Sequence, residues 1–287
     1  MRTAHTLSTL LMLLFTGMAV TQEADRGETL CVMTFNLRYA SPNPPNAWPQ
    51  RRPVMKELIE QVGPDLIGTQ EGVYPQIKDI ASDLPQYEWI GLGRDGGSRG
   101  EFMAVFYRRD RFEPLEFDHF WLSDAPEVIG STTWGNKNRR MVTWVRFEDR
   151  RTKKQFYFLN THLDHETPLA REKSAELLVK RMATLKADVP LVLVGDFNAA
   201  ARASKPYEII TSAGYVDAYA AAKERRGENV GTFHNYRGAA EGGTRIDWIL
   251  TRVGDAASID AAQTITFSKD NQFPSDHFPV AAWLRLK

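Results

Sequence analysis

The sequence predicts a soluble chain of mixed α and β structure, rich in strands that end in polar side chains. Three observations predict it. Short apolar runs recur along the chain and stop at Asn, Asp, Glu or His, as in Val192-Leu193-Val194-Gly195-Asp196-Phe197-Asn198. A few longer stretches repeat apolar residues every three or four positions, the period of a helix. The composition, 43% hydrophobic and 25% charged, is that of a globular protein rather than a repeat array, a coiled coil or a disordered tail. At 287 residues the chain is long enough for one large domain or two small ones. Lys plus Arg equals Asp plus Glu at 36 each, so no net field steers the chain toward polyanions, which weakens the case for a general nucleic-acid binder.

In chain order, residues 7–20 form an apolar run with Arg2 and His5 ahead of it and Gly17-Met18-Ala19 near its end. A basic start, a short apolar core and small residues predict a secretory signal peptide over 1–19. The run is too short for a spanning helix, so no stable membrane insertion is expected after cleavage. The expected location is secreted or periplasmic. Cys31 is the single cysteine, which excludes an internal disulfide and reads as a buried strand thiol.

Residues 30–35 read as a first strand ending at Asn36, whose amide oxygen is available to a cation. A Pro/Asn-rich loop with Trp48 follows over 41–49. Val54, Leu58 and Val62 at four-residue spacing predict a helix over 53–62, stopped by Gly63-Pro64. Residues 65–71 are a second strand ending in Gln70 and Glu71. A Glu and an Asn at neighbouring strand ends form a hard, oxygen-only pair suited to Mg²⁺, Mn²⁺ or Ca²⁺. A second helix is expected over 73–84, a glycine-rich loop with Arg94 and Arg99 over 91–100, and a strand over 102–107 preceded by Glu101. Phe120-Trp121-Leu122-Ser123 follows a turn around Pro114, and 123–138 is a long loop.

Residues 140–147 and 155–160 read as a hairpin running into Asn160-Thr161-His162-Leu163-Asp164-His165. Zinc would suit such a cluster, but no second His/Cys cluster stands nearby, and a zinc peptidase lacks its His-Glu-x-x-His. Thr167-Pro168 opens a helix whose buried stripe is Ala175, Leu178, Met182 and Leu185. In the strand over 191–196 the two-residue side-chain period puts Asp196 and Asn198 on one side at the strand end. A carboxylate there can orient or deprotonate a water, and an amide can donate to a charged oxygen. A short helix over 206–213, a strand over 245–250 containing Asp247, and Ser275-Asp276-His277 ahead of a last strand over 280–286 complete the chain.

Asn36, Glu71, His162, Asp196, Asn198, Asp247, Asp276 and His277 therefore all fall at or near strand ends, the pattern of an active site on a sheet rim. The chain resembles the endonuclease/exonuclease/phosphatase superfamily, metal-dependent phosphoesterases related to exonuclease III and pancreatic-type deoxyribonuclease. Met-Thr-Phe-Asn (33–36), Gly-Thr-Gln-Glu (68–71), Asn-Thr-His-Leu (160–163), Gly-Asp-Phe-Asn (195–198), Arg-Ile-Asp (245–247) and Ser-Asp-His (275–277) carry the resemblance, in the family's order. Phe120-Trp121-Leu122-Ser123 and Arg140 are most similar to secreted bacterial members and the nocturnin-like branch.

The resemblance implies an α+β fold over 28–287, a four-layer α/β/β/α sandwich of two mixed sheets flanked by helices. It implies that Glu71, with Asn36 close by, holds Mg²⁺ (or Mn²⁺), and that Asp276 adds to a metal site. Asp196 would activate water, Asn198 steady it, His277 contact the phosphate and Asp247 fix its ring. His162 would protonate the leaving oxygen with Glu101 as its partner, while Arg140 and Asn160 would bind substrate. Such groups serve the oriented water, charge neutralisation and protonated leaving group that phosphodiester hydrolysis needs.

The expected activity is a secreted metal-dependent phosphodiesterase. The alternatives are a nuclease on DNA or RNA, a phosphomonoesterase on sugar or lipid headgroup phosphates, and a non-catalytic binding protein on the same fold. The expected partner is a phosphate ester, either a small molecule, a glycan or a lipid headgroup, with nucleic acid possible; the oligomeric state is left open. Trp48 and Trp134 are candidates to stack a sugar or base.

Overall fold

The computed structural model describes residues 28–239, 241–252 and 254–287. The expected signal peptide, 1–19, lies outside them. Among the described residues no helix is long and apolar enough to cross a membrane.

Two sheets carry the fold. The first runs β12 (Glu224–Arg226), β14 (Ala256–Thr264), β15 (Val280–Leu286), β1 (Leu30–Asn36), β2 (Leu66–Gln70), β6 (Val105–Arg108), β4 (Tyr87–Ile90). The second runs β11 (Tyr215–Asp217), β13 (Asp247–Arg252), β10 (Leu191–Asp196), β9 (Gln155–His162), β8 (Met141–Asp149), β7 (Phe112–Trp121). A two-stranded ribbon pairs β3 (Gly72–Val73) with β5 (Glu101–Phe102). Among the described residues the named helices are α1 (Trp48–Val62), α2 (Tyr74–Asp83), α3 (Pro168–Met182), α4 (Lys205–Ser212) and the short α5 (Ala218–Ala221).

Strand alternation explains the layering. Val32, Leu66, Val105, Phe158, Val194, Ile249 and Val280 point inward and form a core between the sheets. Their odd-numbered or adjacent neighbours face out. Met33, Phe35, Ile67 and Phe106 pack under α1 and α2. Tyr157, Leu159, Leu193 and Trp248 pack under α3 and α4. These strands carry apolar residues on both faces because both faces are covered. The result is the expected four-layer α/β/β/α sandwich.

Each sheet holds a parallel pair made by a strand–helix–strand crossover, β1–α1–β2 in one and β9–α3–β10 in the other, and the first sheet adds a second parallel pair, β12 with β14. Parallel strands end on the same edge, and register then places Asn36 opposite Gln70, and His162 opposite Asp196. β13 runs antiparallel to β10 and sets Asp247 opposite Asp196. The close apposition of the sheets depends on Gly68, where an added Cβ would meet Val194 Cγ2 at 2.3 Å and Asn160 Oδ1 at 2.8 Å.

Some elements differ from expectation. α1 begins at Trp48, not Pro53; Pro49 opens the helix, and Pro53 is carried inside it. Residues 102–107 split, β5 pairing with β3 before β6 joins the first sheet. Pro114 lies within β7 rather than at a turn. β7 is an edge strand with a register shift at Pro114/Glu116, where a missing N–H is tolerated. β14, Ala-rich and broken by two register shifts, shows no clear alternation to read.

Candidate active site

The site is the polar continuation of the inter-sheet core. Asn36, Gln70, His162, Asp196 and Asp247 each stand an even number of residues from an inward apolar one (Val32, Leu66, Phe158, Val194 and Ile249) and so share its face. They are buried at the rim where the apolar fill ends. Beyond them opens a pocket of about 480 Å³, lined by His162 and Asp196 of this set and by Arg38, Tyr39, Glu71, Arg94, Glu101, Arg140, Asn198, Phe233, Asp276 and His277.

Asp196 is its hub. Its Oδ1 accepts the Asn198 N–H at 2.9 Å and its Oδ2 accepts Asn36 Nδ2 at 2.9 Å. The same Oδ2 lies 3.4 Å from His162 Nε2 and 3.8 Å from His277 Nε2. Burial, then repulsion from Asp247, pushes the Asp196 carboxyl up to about 7. His277 Nδ1 donates to Asp247 Oδ2 at 3.0 Å. Burial alone would lower His277, but Asp247 and Asp196 outweigh it and hold the ring up to about 10. His277 therefore stands between two carboxylates that favour its imidazolium form, with Asp247 fixing its ring as expected.

The structure does not form the expected Glu101–His162 pair. Glu101 Oε2 accepts Arg94 Nη1 at 2.6 Å, and Arg140 Nη1 donates to His162 Nδ1 at 2.8 Å. A guanidinium only donates, so Nδ1 offers its lone pair and the neutral ring carries its proton on Nε2, 3.4 Å from Asp196 Oδ2; Asn198 Nδ2, 3.0 Å from that nitrogen, then donates to Leu163 O instead. Burial and the Arg140 charge hold His162 well below its ordinary pKa. It is a neutral hydrogen-bond donor here, not a charged acid. Arg140 lines the pocket as expected, but it also donates to His165 Nδ1 at 2.9 Å, so it fixes two rings.

Asn160 does not reach the pocket. Its Oδ1 accepts Gln70 Nε2 at 2.7 Å, and its Nδ2 donates to Thr69 O at 2.8 Å and Ala104 O at 3.0 Å. It ties the two sheets together, with its amide occupied at both ends. Trp48 and Trp134 are buried packing residues; the exposed rings on the pocket rim are Tyr39 and Phe233.

Glu71, Asn36 and Asp276 sit on one side of the pocket. Glu71 leaves its strand with φ 62°, turning its carboxylate toward Asn36, whose Nδ2 donates to Oε1 at 3.0 Å. Asn36 Oδ1 accepts the Arg38 N–H at 2.9 Å. Burial raises the Asp276 carboxyl, His277 opposes this, and the neighbouring Glu71 charge adds to it. Two carboxylates close enough to repel, with an amide beside them, are a donor set that fits a hard divalent cation. Asp196, Asp247 and His277 also bring ligand atoms within 4.8 Å of one another. That group is already paired internally, Asp247 with the His277 imidazolium, so the Glu71 side fits a metal better.

The sequence reading missed Arg38 and Arg51. Arg51 is fully buried and donates to five carbonyls: Asn46 O, Leu37 O, Pro274 O, Arg38 O and Tyr39 O. It pins the loop after β1 to the loop carrying Asp276. The signal was its place on the buried stripe of α1 with Trp48, Met55 and Leu58, where a charge needs a partner.

The sequence profile of the Endonuclease/Exonuclease/phosphatase family matches residues 33–277. Among solved structures, an endonuclease/exonuclease/phosphatase from Bacteroides vulgatus is 34% identical, with a TM-score of 0.85, covering 90% of this chain and 99% of that one. A mannosyl-6-phosphatase from Bacteroides thetaiotaomicron VPI-5482 is also 34% identical, with a TM-score of 0.83, covering 89% and 99%. An uncharacterized protein of Acanthamoeba polyphaga mimivirus is 28% identical over 162 residues, 53% of this chain; the match spans 59% of that relative's length.

Proposed function

The chain belongs to the endonuclease/exonuclease/phosphatase family, whose members are phosphoesterases, and from that premise we propose that it is a divalent-metal hydrolase of small phosphate esters, a sugar phosphate first among them. The observation that carries the reading is Asp196 at the pocket floor, raised to about 7 and flanked by His277, held as a cation by Asp247. A base poised near neutrality beside a fixed positive charge is what water attack on a phosphoryl centre requires. A pocket of about 480 Å³ suits one small molecule. The 34% identity to a mannosyl-6-phosphatase favours a sugar monoester over the diester expected from sequence.

In this reading Asp196 takes the proton of the attacking water while Asn198 and Asn36 hold its carboxylate in place. His277 Nε2–H and Arg94 meet the phosphoryl oxygens. His162 Nε2–H, kept on that nitrogen by Arg140, donates to the leaving oxygen. Glu71, Asn36 and Asp276 would hold Mg²⁺ or Mn²⁺, which when bound supplies Lewis-acid charge to the phosphoryl group.

The test is hydrolysis of p-nitrophenyl phosphate, bis-p-nitrophenyl phosphate and mannose 6-phosphate by the purified protein, with Mg²⁺, with Mn²⁺ and with EDTA, beside Asp196→Asn. Metal-dependent turnover of the monoesters, reduced about a thousandfold in the variant, is the expected result. Preference for the diester would restore the sequence-based expectation, and turnover that survives Asp196→Asn would remove Asp196 from its role. The proposal extends to export through residues 1–19. Intact-mass analysis of protein recovered outside the cytoplasm should then give a chain beginning at Val20; a retained Met1 there would refute cleavage.

A further inference from the structure

We propose that Arg38 is an internal stand-in for the divalent cation: its guanidinium occupies the gap between Glu71 and Asp276, gives way when metal binds, and then clamps the phosphate of the substrate. This rests on the metal reading above and adds a residue that the sequence motifs do not contain.

The geometry points to a head that is placed but not bound. Arg38 Nη1 lies 3.8 Å from Glu71 Oε2, and Arg38 Nε lies 3.7 Å from Asp276 Oδ2. Both distances exceed a hydrogen bond, so the group acts as a charge between two carboxylates rather than as a fork fastened to either. Its plane rests over the Tyr39 ring, with Cζ 4.6 Å from the centroid. The side chain is 39% exposed at the pocket mouth, while Glu71 and Asp276 are 16% and 6% exposed.

The backbone beneath is rigid by contrast. Arg38 adopts φ 53°, its N–H is held by Asn36 Oδ1, and its carbonyl accepts from Arg51 Nη2 at 3.1 Å and from Gln76 Nε2 at 3.0 Å. A left-handed arginine is strained, and these hydrogen bonds hold it in place. Here it directs a long cationic side chain back across the mouth of the site on a fixed base. A guanidinium and a divalent ion compete for the same two carboxylates by charge alone. Once displaced, the same Nε/Nη edge matches two phosphoryl oxygens in planar, bidentate fashion.

The experiment is calorimetric titration of Mg²⁺ into the full chain and into Arg38→Ala and Glu71→Gln, followed by inorganic phosphate into the Mg²⁺-loaded wild type and Arg38→Ala. Thermal unfolding of each in EDTA and in Mg²⁺ accompanies it. Arg38→Ala should bind Mg²⁺ about tenfold more tightly and phosphate about tenfold more weakly. Its melting temperature should fall in EDTA, where two carboxylates lose their counter-charge, and recover in Mg²⁺. Equal or weaker Mg²⁺ binding in Arg38→Ala, with binding lost in Glu71→Gln, overturns the role of Arg38 and leaves the metal reading standing. No Mg²⁺ binding to any of the three, or equal binding to wild type and Glu71→Gln, overturns both.

Discussion

At the scale of single residues, the site is a set of opposed charges that shift one another. Asp196, raised to about 7, should be the acidic limb of the pH profile: kcat/KM falls as pH drops below about 7, because the base takes up a proton. Initial rates on a chromogenic monoester from pH 5.5 to 9 measure this, and a flat acid side would remove Asp196 as the base. His277 makes a separate prediction for stability. Its pKa is about 10 when folded against an ordinary 6.5, so between those values the native state keeps a proton that the unfolded chain gives up. The contribution is full below about 6.5 and is lost as pH rises through about 10. Urea unfolding in EDTA at pH 6.5 and pH 9.5 should show wild type losing more stability than His277→Gln. Strand period and motif made Asp196, Asn198, Asp247 and His277 legible as polar rim residues. Their protonation was not legible, because it depends on which charges from other strands lie within a few ångströms after folding.

At the scale of elements, Gly68 on β2 sets how closely the first sheet lies on the second. Gly68→Ala should lower the unfolding free energy by about 1–3 kcal/mol, since the new methyl meets Val194 and the Asn160 amide together. Denaturant unfolding gives the number; no change would mean the sheets can separate at that point without loss. Asn160 shows why an element's role escapes a linear reading. Its place at the end of a strand run, two residues before His162, looked like that of a site residue. It lies deeper, and its amide is consumed by Gln70, Thr69 and Ala104 from the opposite sheet. Helices α1 and α3 were visible from their apolar stripes, whereas β14 was not, since its register shifts erase the alternation that marks a strand.

At the scale of the whole molecule, one sheet supplies Asn36 and the neighbouring Glu71, and the other supplies His162, Asp196 and Asp247. The proposed cation ligands Asn36, Glu71 and Asp276 flank β1, β2 and β15 of the first sheet, so a bound cation should stabilise that sheet across three strands and not a single element. Mg²⁺ at a hundred times its dissociation constant adds about 2.7 kcal/mol of apparent stability. Scanning calorimetry with and without EDTA tests this, and the shift should vanish in Glu71→Gln. Fold class was legible through the family resemblance, carried by six motifs in order along the chain, while the strand and helix patterns alone gave only mixed α and β structure. The pairing of the two sheets was not, since nothing local in a strand names its partner across the core.

The order of strands in the first sheet also sets a schedule for synthesis. β15 is the last of the described strands, yet it lies in the interior of that sheet, between β14 and β1, and it follows directly on the loop that carries Asp276 and His277. During translation β1 waits with one edge bare until residues 280–286 have left the ribosome. A chain interrupted before Val280 therefore leaves β1 without its antiparallel partner, and leaves Asp276 and His277 without the strand that anchors their loop.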